Sequence, residues 1–188
     1  TLSCDINVLA TDKICRSAIK AKVKKIVFAS SGSVYGIKKD RNVVEELELK
    51  PISVYNKTKM IAERILLSYR KEIDIVCIRP ATVCGISKRL RLDVSVNMLT
   101  YQALTNKKIT VFGGNQTRPN INIKDMVNVY RHFLENSNLP SGCYNAGFEN
   151  ISILDIAKNV QKLITTKISL KESNDPRSYR QDSTKLRN

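Results

Sequence analysis

Residues 25–36 of this chain read KIVFASSGSVYG, an apolar run that passes directly into small polar residues and a glycine. The first five residues are too few for a helix and do not alternate with polar residues, so they predict a strand buried on both faces. The serines and Gly32 that follow predict a polar loop at the carboxyl end of this strand. Because strands buried on both faces are typical of parallel sheets covered by helices, this segment indicates an α/β fold.

Outward from this segment, hydrophobic periodicity predicts an alternation of helices and short buried strands. The predicted helices are residues 4–21, 56–70, 93–106, 125–136 and 152–164, and the further predicted strands are 74–79, 108–112 and 143–145. Alternating strands and helices favour a parallel sheet.

The charge of the chain is strongly positive. Its 188 residues include 32 Lys or Arg and 17 Asp or Glu, which gives a net charge of +15 at pH 7. This charge suits a nucleic acid, an anionic membrane or a phosphorylated substrate. The basic residues are scattered, however, and aromatic side chains, which stack on the bases of single strands, make up only 6% of the sequence. We therefore expect a solvated basic surface and no specific nucleic-acid partner.

The five cysteines form no Cys-x-x-Cys pair, and there is one histidine, so we expect no metal site. Their odd number and wide spacing predict small buried side chains in a reducing compartment. No apolar run approaches the ~20 residues that span a bilayer, and no signal peptide is recognisable at residues 1–10. These features predict a cytoplasmic protein that is not inserted in a membrane.

The sequence predicts a proton-transfer reaction from three side chains, a serine, a tyrosine and a lysine. Tyr55 and Lys59 are four residues apart at the start of a predicted helix, so they lie on one helix face. Ser31 and Thr82 follow two buried strands, and ligands of parallel sheets bind beyond the carboxyl ends of the strands. A nearby ammonium favours the phenolate form of a tyrosine, and a serine hydroxyl binds the oxygen that exchanges the proton. Together these residues suit the interconversion of a carbinol and a carbonyl, although a Tyr-x-x-x-Lys pair alone also arises by chance on helix surfaces.

Segments along nearly the whole chain occur in an order that supports a more specific interpretation. They are NVLAT (7–11), VFASSGSVYG (27–36), PISVYNKTK (51–59), IRPATVCG (78–85), VFGGNQTR (111–118), IKDMV (123–127) and YNAG (144–147). In this order they resemble the extended short-chain dehydrogenase/reductases, and among these the NAD-dependent sugar-nucleotide epimerase/dehydratase family. The resemblance implies an incomplete Rossmann-like, doubly wound parallel sheet with a small C-terminal substrate-binding α/β part.

The resemblance also implies roles for individual residues. Ser31 would hydrogen-bond the reacting sugar oxygen, Tyr55 would act as the catalytic base and acid, and Lys59 would bind the nicotinamide ribose and favour the phenolate. The cofactor would be NAD or NADP. The implied cofactor-binding residues are Asn7, Ser30, Tyr55, Lys59, Pro80 and Thr82.

The implied substrate is a nucleotide sugar. Arg118 and Arg177 match arginines that family members direct at the nucleotide diphosphate, for which a planar guanidinium is well suited. Ser33 and Asn97 are the other implied substrate contacts. The alternatives are a turn residue for Ser33, an exposed helix residue for Asn97 or Asn7, and solvated surface charges for the two arginines.

Two departures from the family pattern bear on these expectations. Family members that act as 4,6-dehydratases carry an Asp-Glu pair where this chain has Gly32 and Ser33, which disfavours a dehydratase. The glycine-rich loop that cradles the cofactor pyrophosphate is also absent from the sequence, as is an initiator methionine. We therefore expect a fragment that lacks roughly 80 residues of βαβ structure and is inactive by itself.

The expected division places the catalytic part of the Rossmann-like domain in residues 1–85. Residues 86–188 would be mostly substrate-binding, with one or more segments returning to the Rossmann sheet. The leading hypothesis is an NAD(P)-dependent sugar-nucleotide epimerase or related oxidoreductase. An NADPH-dependent ketone or sugar reductase and a non-catalytic basic module that binds nucleic acid or another polyanion are the alternatives. The resemblance further implies a homodimer through the helices around residues 4–21 and 56–70.

Overall fold

The protein is described by a computed structural model that covers residues 2–38, 42–175 and 178–188. The helices are α1 (Leu2–Cys4), α2 (Ala10–Lys20), α3 (Val54–Ser68), α4 (Ser95–Asn106), α5 (Ile123–Glu135), α6 (Ile153–Leu163) and α7 (Thr184–Arg187), with a π-helical turn at Asp5–Leu9 and a 3-10 turn at Gly32–Tyr35. The strands are β1 (Lys25–Ala29), β2 (Asp74–Pro80), β3 (Thr82–Cys84), β4 (Lys108–Phe112), β5 (Thr117–Asn122), β6 (Gly142–Ala146), β7 (Glu149–Ser152) and β8 (Lys167–Lys171).

The central sheet has the strand order β1-β2-β6, and both pairings are parallel. Successive side chains of β2 point to opposite faces of the sheet. Ile75 and Cys77 pack in one core with residues of α2 and α3, whereas Val76 and Ile78 pack in another with residues of α5. Helices therefore cover both faces, and the predicted doubly wound α/β class is confirmed.

The chain after β2 forms two further sheets outside the central sheet. The parallel pair β4–β8 packs against α4 and α6 around a separate core that includes Leu99, Ile109 and Val160. A further sheet has the order β3-β5-β7, in which β5 pairs in parallel with β3 and antiparallel with β7. β6 comes from the part of the chain after residue 85 and pairs with β2 in the central sheet. The division of the chain into a catalytic part and a substrate-binding part at residue 85 stays a prediction.

The sequence patterns missed four strands, β3, β5, β7 and β8. The β5 sequence TRPNIN contains a proline and polar residues, and β8 has the sequence KISLK within a basic tail. Neither pattern has the uninterrupted apolar run of a strand buried on both faces. The buried middle of β5 has the sequence Pro-Asn-Ile, and β8 is exposed at both ends.

Helix α3 begins two residues earlier than periodicity predicts. Ser53 is extended and its side chain accepts a hydrogen bond from the backbone N–H of Asn56 at 3.1 Å, which satisfies one of the donors exposed at a helix start. The cap places Tyr55 in the first turn of α3. No helix in the described ranges is both long and apolar enough to cross a membrane.

Candidate active site

The carboxyl ends of β1 and β2 open into a cavity of about 800 Å³. Serines from the β1 loop, the tyrosine of α3 and the backbone of the β2–β3 connection meet there because parallel strands end at the same edge of a sheet. The sequence-predicted residues in its wall are Ser30, Ser31, Ser33, Tyr55, Pro80, Thr82 and Asn97.

The two serines of the β1 loop are held by the 3-10 turn that follows β1. Ser31 is extended and caps this turn, its hydroxyl accepting the backbone N–H of Ser33 at 3.2 Å. The Ser31 and Ser33 hydroxyls lie 2.7 Å apart, and Ser33 Oγ donates to Asn56 Oδ1 at 2.7 Å. The serine pair is therefore oriented by backbone and by α3, with both hydroxyls at the cavity wall.

Tyr55 and Lys59 share one face of α3, as their spacing predicts. The Lys59 ammonium lies 5.8 Å from the centroid of the Tyr55 ring, and it donates to the carbonyl oxygen of Ala29 at 3.0 Å. Burial lowers the pKa of Lys59, because desolvation disfavours the charged form. The positive end of the α3 dipole and the ammonium both favour negative charge on a group at this position.

Asn7 does not line the cavity but supports α3 from behind. It lies in the π-helical turn and its Nδ2 donates to Thr58 Oγ1 at 3.1 Å. Thr58 Oγ1 in turn donates to the backbone carbonyl oxygen of Tyr55 at 2.9 Å. The predicted role of Asn7 as a cofactor contact stays a prediction, whereas its contact in this structure connects it to the first turn of α3.

A buried ion pair lies directly beneath the cavity. Arg79 of β2 donates to both carboxylate oxygens of Glu63 on α3, at 2.9 and 2.8 Å, and the two side chains are only 5% and 2% exposed. Ser30 Oγ donates to the same carboxylate. Burial is the largest single influence on Arg79 and opposes its charge, but the bond to Glu63 and the neighbouring negative groups together outweigh it and raise the pKa of the guanidinium. The pair ties the end of β1 and the end of β2 to α3, which positions the cavity wall.

The same guanidinium reaches a buried tyrosine. Arg79 Nη1 donates to the Tyr35 hydroxyl at 2.8 Å, and this hydroxyl donates to Asn145 Oδ1 at 2.8 Å. Burial raises the pKa of Tyr35 to about 12, so the side chain is a neutral phenol at physiological pH. These contacts connect the 3-10 turn, β2 and β6 in one hydrogen-bonded network.

Asn97 and Arg118 contact other parts of the chain. The Asn97 amide accepts the N–H of Gly85 and donates to the carbonyl oxygen of Arg91, both at 2.9 Å, which anchors the loop between β3 and α4. Arg118 Nη2 donates to Asp175 Oδ2 at 2.8 Å and lies in a neighbouring cavity of about 340 Å³, which also includes Thr82. Arg177 lies outside the described residues.

Sequence reasoning missed four charged residues at the site. Glu63 and Arg79 form the buried pair, and Arg89 and Arg91 line the main cavity. A signal for the first pair was available, because an arginine at the end of the apolar strand IVCIR and a glutamate on a helix that packs against this strand are candidates for a buried pair. No local pattern indicates which face of a loop Arg89 or Arg91 occupies.

Helices on both faces of a parallel sheet, with a serine, a tyrosine and a lysine at its carboxyl edge, define a Rossmann-like scaffold of the extended short-chain dehydrogenase/reductase type. A family model described as the NAD dependent epimerase/dehydratase family matches residues 2–147. The chain belongs to this family, which confirms the resemblance.

Individual relatives agree with this classification. The chain is 32% identical over 168 residues to an uncharacterized UDP-glucose epimerase, YtcB, of Bacillus subtilis, covering 87% of this chain and 52% of the relative. It is 28% identical to the UDP-glucose 4-epimerase of Lactobacillus helveticus, covering 97% and 63%. Among solved structures, the UDP-glucuronic acid 4-epimerase of Bacillus cereus, in complex with UDP-glucuronic acid and NAD, superposes with a TM-score of 0.81 at 31% identity, covering 96% and 59%. The chain thus spans between about half and two thirds of the length of these relatives.

The family is NAD-dependent, and the site fits one half of that cofactor. The half-buried ammonium of Lys59 would supply hydrogen-bond donors for ribose hydroxyls, and the backbone from Pro80 to Thr82, which lines the cavity, would supply a wall for a flat ring. The glycine-rich phosphate loop does not occur among the 188 residues. The residues present therefore suit the nicotinamide riboside half.

Proposed function

We propose that the full-length protein is an NAD-dependent sugar-nucleotide epimerase that acts on a carbinol of the sugar ring. The observation that carries this proposal is the meeting of Ser31 and Tyr55 at one cavity, with the Lys59 ammonium near the Tyr55 ring and fixed by the Ala29 carbonyl. The support from relatives is that several of them are described as epimerases of UDP-glucose or UDP-glucuronic acid.

In this proposal the chain's own residues move the proton. The Tyr55 oxygen removes the proton of the sugar hydroxyl as the carbon loses its hydride, so that the C–O single bond becomes a carbonyl. Ser31 holds that oxygen through a hydrogen bond while its charge changes. NAD, when bound, supplies the acceptor and later the donor of the hydride. Return of the hydride to the opposite face of the carbonyl, with return of the proton from Tyr55, inverts the carbon.

Lys59 favours the phenolate form of Tyr55 that accepts the proton in this step. Its ammonium lies near the Tyr55 ring and stabilises the phenolate through space, while the Ala29 carbonyl fixes its position. Its partial burial strengthens this interaction, because charges interact more strongly where water is excluded.

The direct test offers UDP-, GDP- and dTDP-sugars with NAD to the full-length protein and follows the sugar by NMR. We expect a second epimer to accumulate until both reach equilibrium, with no net change in NADH absorbance. Consumption of NADPH in proportion to product would instead support the reductase. Absence of turnover together with tight, steeply salt-dependent binding to DNA or RNA would support the polyanion-binding module.

The cavity around Arg118 is the proposed diphosphate side of the substrate site. Its guanidinium is paired with Asp175 and only 14% exposed, so a diphosphate entering there would replace the carboxylate as its partner. We expect Arg118→Met to raise KM for the nucleotide sugar by about ten- to a hundredfold, because a charge-assisted bond is lost, with a smaller effect on kcat. Steady-state kinetics checks this; Arg131→Met, which removes an exposed arginine of α5, is the matched control and should leave KM unchanged.

We also propose the homodimer implied by the family resemblance. Ile6, Leu9 and Ile14 on the α1–α2 side are 56%, 57% and 62% exposed, and Ile61 of α3 is 39% exposed. Clusters of exposed aliphatic side chains are typical of protein–protein interfaces. We expect Ile14→Glu to shift the protein to monomers in analytical ultracentrifugation, whereas Leu134→Glu on α5, at a position that is 64% exposed, should not. A monomeric parent protein would contradict the proposal.

A further inference from the structure

Two cysteines lie side by side in the central sheet. The five cysteines all fall in the described ranges and are free thiols. Among them, Cys77 of β2 and Cys143 of β6 are direct partners in the parallel register, so their side chains point to the same face of the sheet. Both pack in the core that includes Leu66 of α3. The proposed mechanism uses neither thiol.

The positions of these two residues suit a disulfide. Neighbouring strands of a sheet lie about 4.8 Å apart, and disulfides join residues whose Cα atoms are about 4.4–6.8 Å apart. The paired segment of β2 and β6 runs from Val76 with Gly142 to Pro80 with Ala146, so it extends to both sides of the two cysteines. A bond between the two sulfurs is therefore compatible with the existing register of the strands.

Positively charged groups surround Cys143. Arg79 Nη2 donates to Cys143 Sγ at 3.3 Å, and the Lys185 ammonium donates to the Cys143 carbonyl oxygen at 2.9 Å. Neighbouring cations favour a thiolate over a thiol. A hydrogen bond from Cys77 lowers the pKa of Cys143 most, and the two cations lower it further. Burial and the Glu63 carboxylate act in the opposite direction, but the net shift of this pKa is downward.

The two thiols differ in access and in acidity. Cys143 is partly exposed, whereas Cys77 is fully buried. The hydrogen bond to Cys143 and burial both raise the pKa of Cys77, so this side chain stays a neutral thiol. An oxidant therefore meets Cys143 as the more reactive sulfur, with Cys77 beside it as the thiol that resolves the oxidised product.

We propose that Cys143 and Cys77 form a peroxide-sensitive dithiol site, in which Cys143 is oxidised first and Cys77 then closes a disulfide between β2 and β6. The Cys143 thiolate attacks one oxygen of hydrogen peroxide and the O–O bond breaks. The sulfur becomes a sulfenic acid, and the departing hydroxide takes up the proton that the thiol had released.

The second step forms the bridge. The Cys77 sulfur attacks the sulfenic sulfur of Cys143, the S–O bond breaks, and hydroxide leaves with the Cys77 proton as water. In total, two thiols and one peroxide give one disulfide and two water molecules. The two sulfurs are oxidised and the peroxide is reduced.

The bridge leaves the ion pair beneath the cavity in place. When the Cys143 sulfur no longer accepts its hydrogen bond, Arg79 keeps both bonds to Glu63 and its bond to the Tyr35 hydroxyl. We therefore expect the oxidised protein to remain folded.

Peptide mapping by mass spectrometry tests the site. The full-length protein is titrated with hydrogen peroxide, its remaining thiols are alkylated under denaturing conditions, and its digest is compared with that of an untreated sample. We expect a cross-linked pair of peptides that joins Cys77 to Cys143, lighter than the two separate peptides by two hydrogen atoms and separated again by dithiothreitol. In Cys77→Ala the bridge should be absent, and dimedone should trap a sulfenic acid on Cys143.

Cys84 offers a matched control. It is also partly exposed, but burial raises the pKa of its thiol. In the folded protein, iodoacetamide should alkylate Cys143 at least about tenfold faster than Cys84, since one unit of pKa changes the thiolate fraction about tenfold. Cys84→Ala should form the same bridge as the parent protein.

The other outcomes overturn the proposal. These are peroxide treatment that leaves both thiols free, a bridge that joins other cysteines, and oxidation of Cys143 to a sulfinic acid without a bridge. Sulfenic acid on Cys77 in Cys143→Ala, formed as fast as the bridge of the parent protein, would contradict the order of the two steps. None of these readouts depends on turnover, so the inference can fail or hold independently of the proposed function.

Discussion

Replacing Tyr55 with phenylalanine is expected to reduce the turnover of a nucleotide sugar by the full-length protein about 10²- to 10⁴-fold, the usual contribution of a positioned acid or base. The ring and its packing on α3 are kept, and only the oxygen that exchanges the proton is removed. Because the effect lies in the chemical step, kcat should fall while the affinity for NAD and substrate stays near that of the parent protein. Stopped assays of epimer formation check kcat, and titration calorimetry checks affinity.

A matched control is available on α4. Tyr101 of α4 is 48% exposed, against 47% for Tyr55, and does not line the cavity. Tyr101→Phe should therefore leave kcat unchanged. Turnover that survives Tyr55→Phe would show that another group takes the proton and would reject the proposed mechanism.

The largest effect on stability is expected at Glu63. Glu63→Gln removes the charge that compensates Arg79 inside the fold, where both side chains are almost fully buried. Breaking a buried pair by removing one partner typically lowers the free energy of unfolding by about 3–5 kcal/mol. Chemical denaturation followed by circular dichroism measures this loss. Glu48→Gln, which breaks an exposed pair with Lys50, should change the free energy by less than ~1 kcal/mol.

A double variant separates the pair from its surroundings. If the loss in Glu63→Gln comes from the uncompensated charge of Arg79, replacing both residues with methionine should restore part of the stability. If the residues acted independently, the losses of the single variants Glu63→Met and Arg79→Met would add in the double variant. Additivity, or a single loss near zero, would contradict the proposed role of the pair.

The predictable part of the fold is the central sheet, whose apolar runs at β1 and β2 are uninterrupted because helices pack on both of its faces. The expectation of full burial holds for β2, whereas β1 is only partly buried and its last residue, Ala29, is exposed. The strands β5 and β8 lie outside the central sheet and keep polar residues, so their pairing depends on distant partners that no local pattern shows.

The candidate site was predictable for a similar reason. Ser31 and Tyr55 meet because parallel strand ends meet at one edge, which follows from the order of elements. Glu63 and Arg79 are 16 residues apart and Arg91 lies on a loop, so their positions depend on packing and on the Asn97 anchor. Spacing rules predict contacts between neighbours within one helix or strand, whereas these contacts join residues of different elements.

The anchoring of the β3–α4 loop by Asn97 has an evolutionary consequence. Since the amide holds backbone atoms of Gly85 and Arg91, the path of the loop does not depend on which side chains the residues between them carry. Substitutions in that segment are therefore expected to alter the preferred sugar while leaving the proton-transfer residues in place. Such a separation allows one scaffold to diversify its substrates by single amino-acid changes, without a new fold or a new catalytic set.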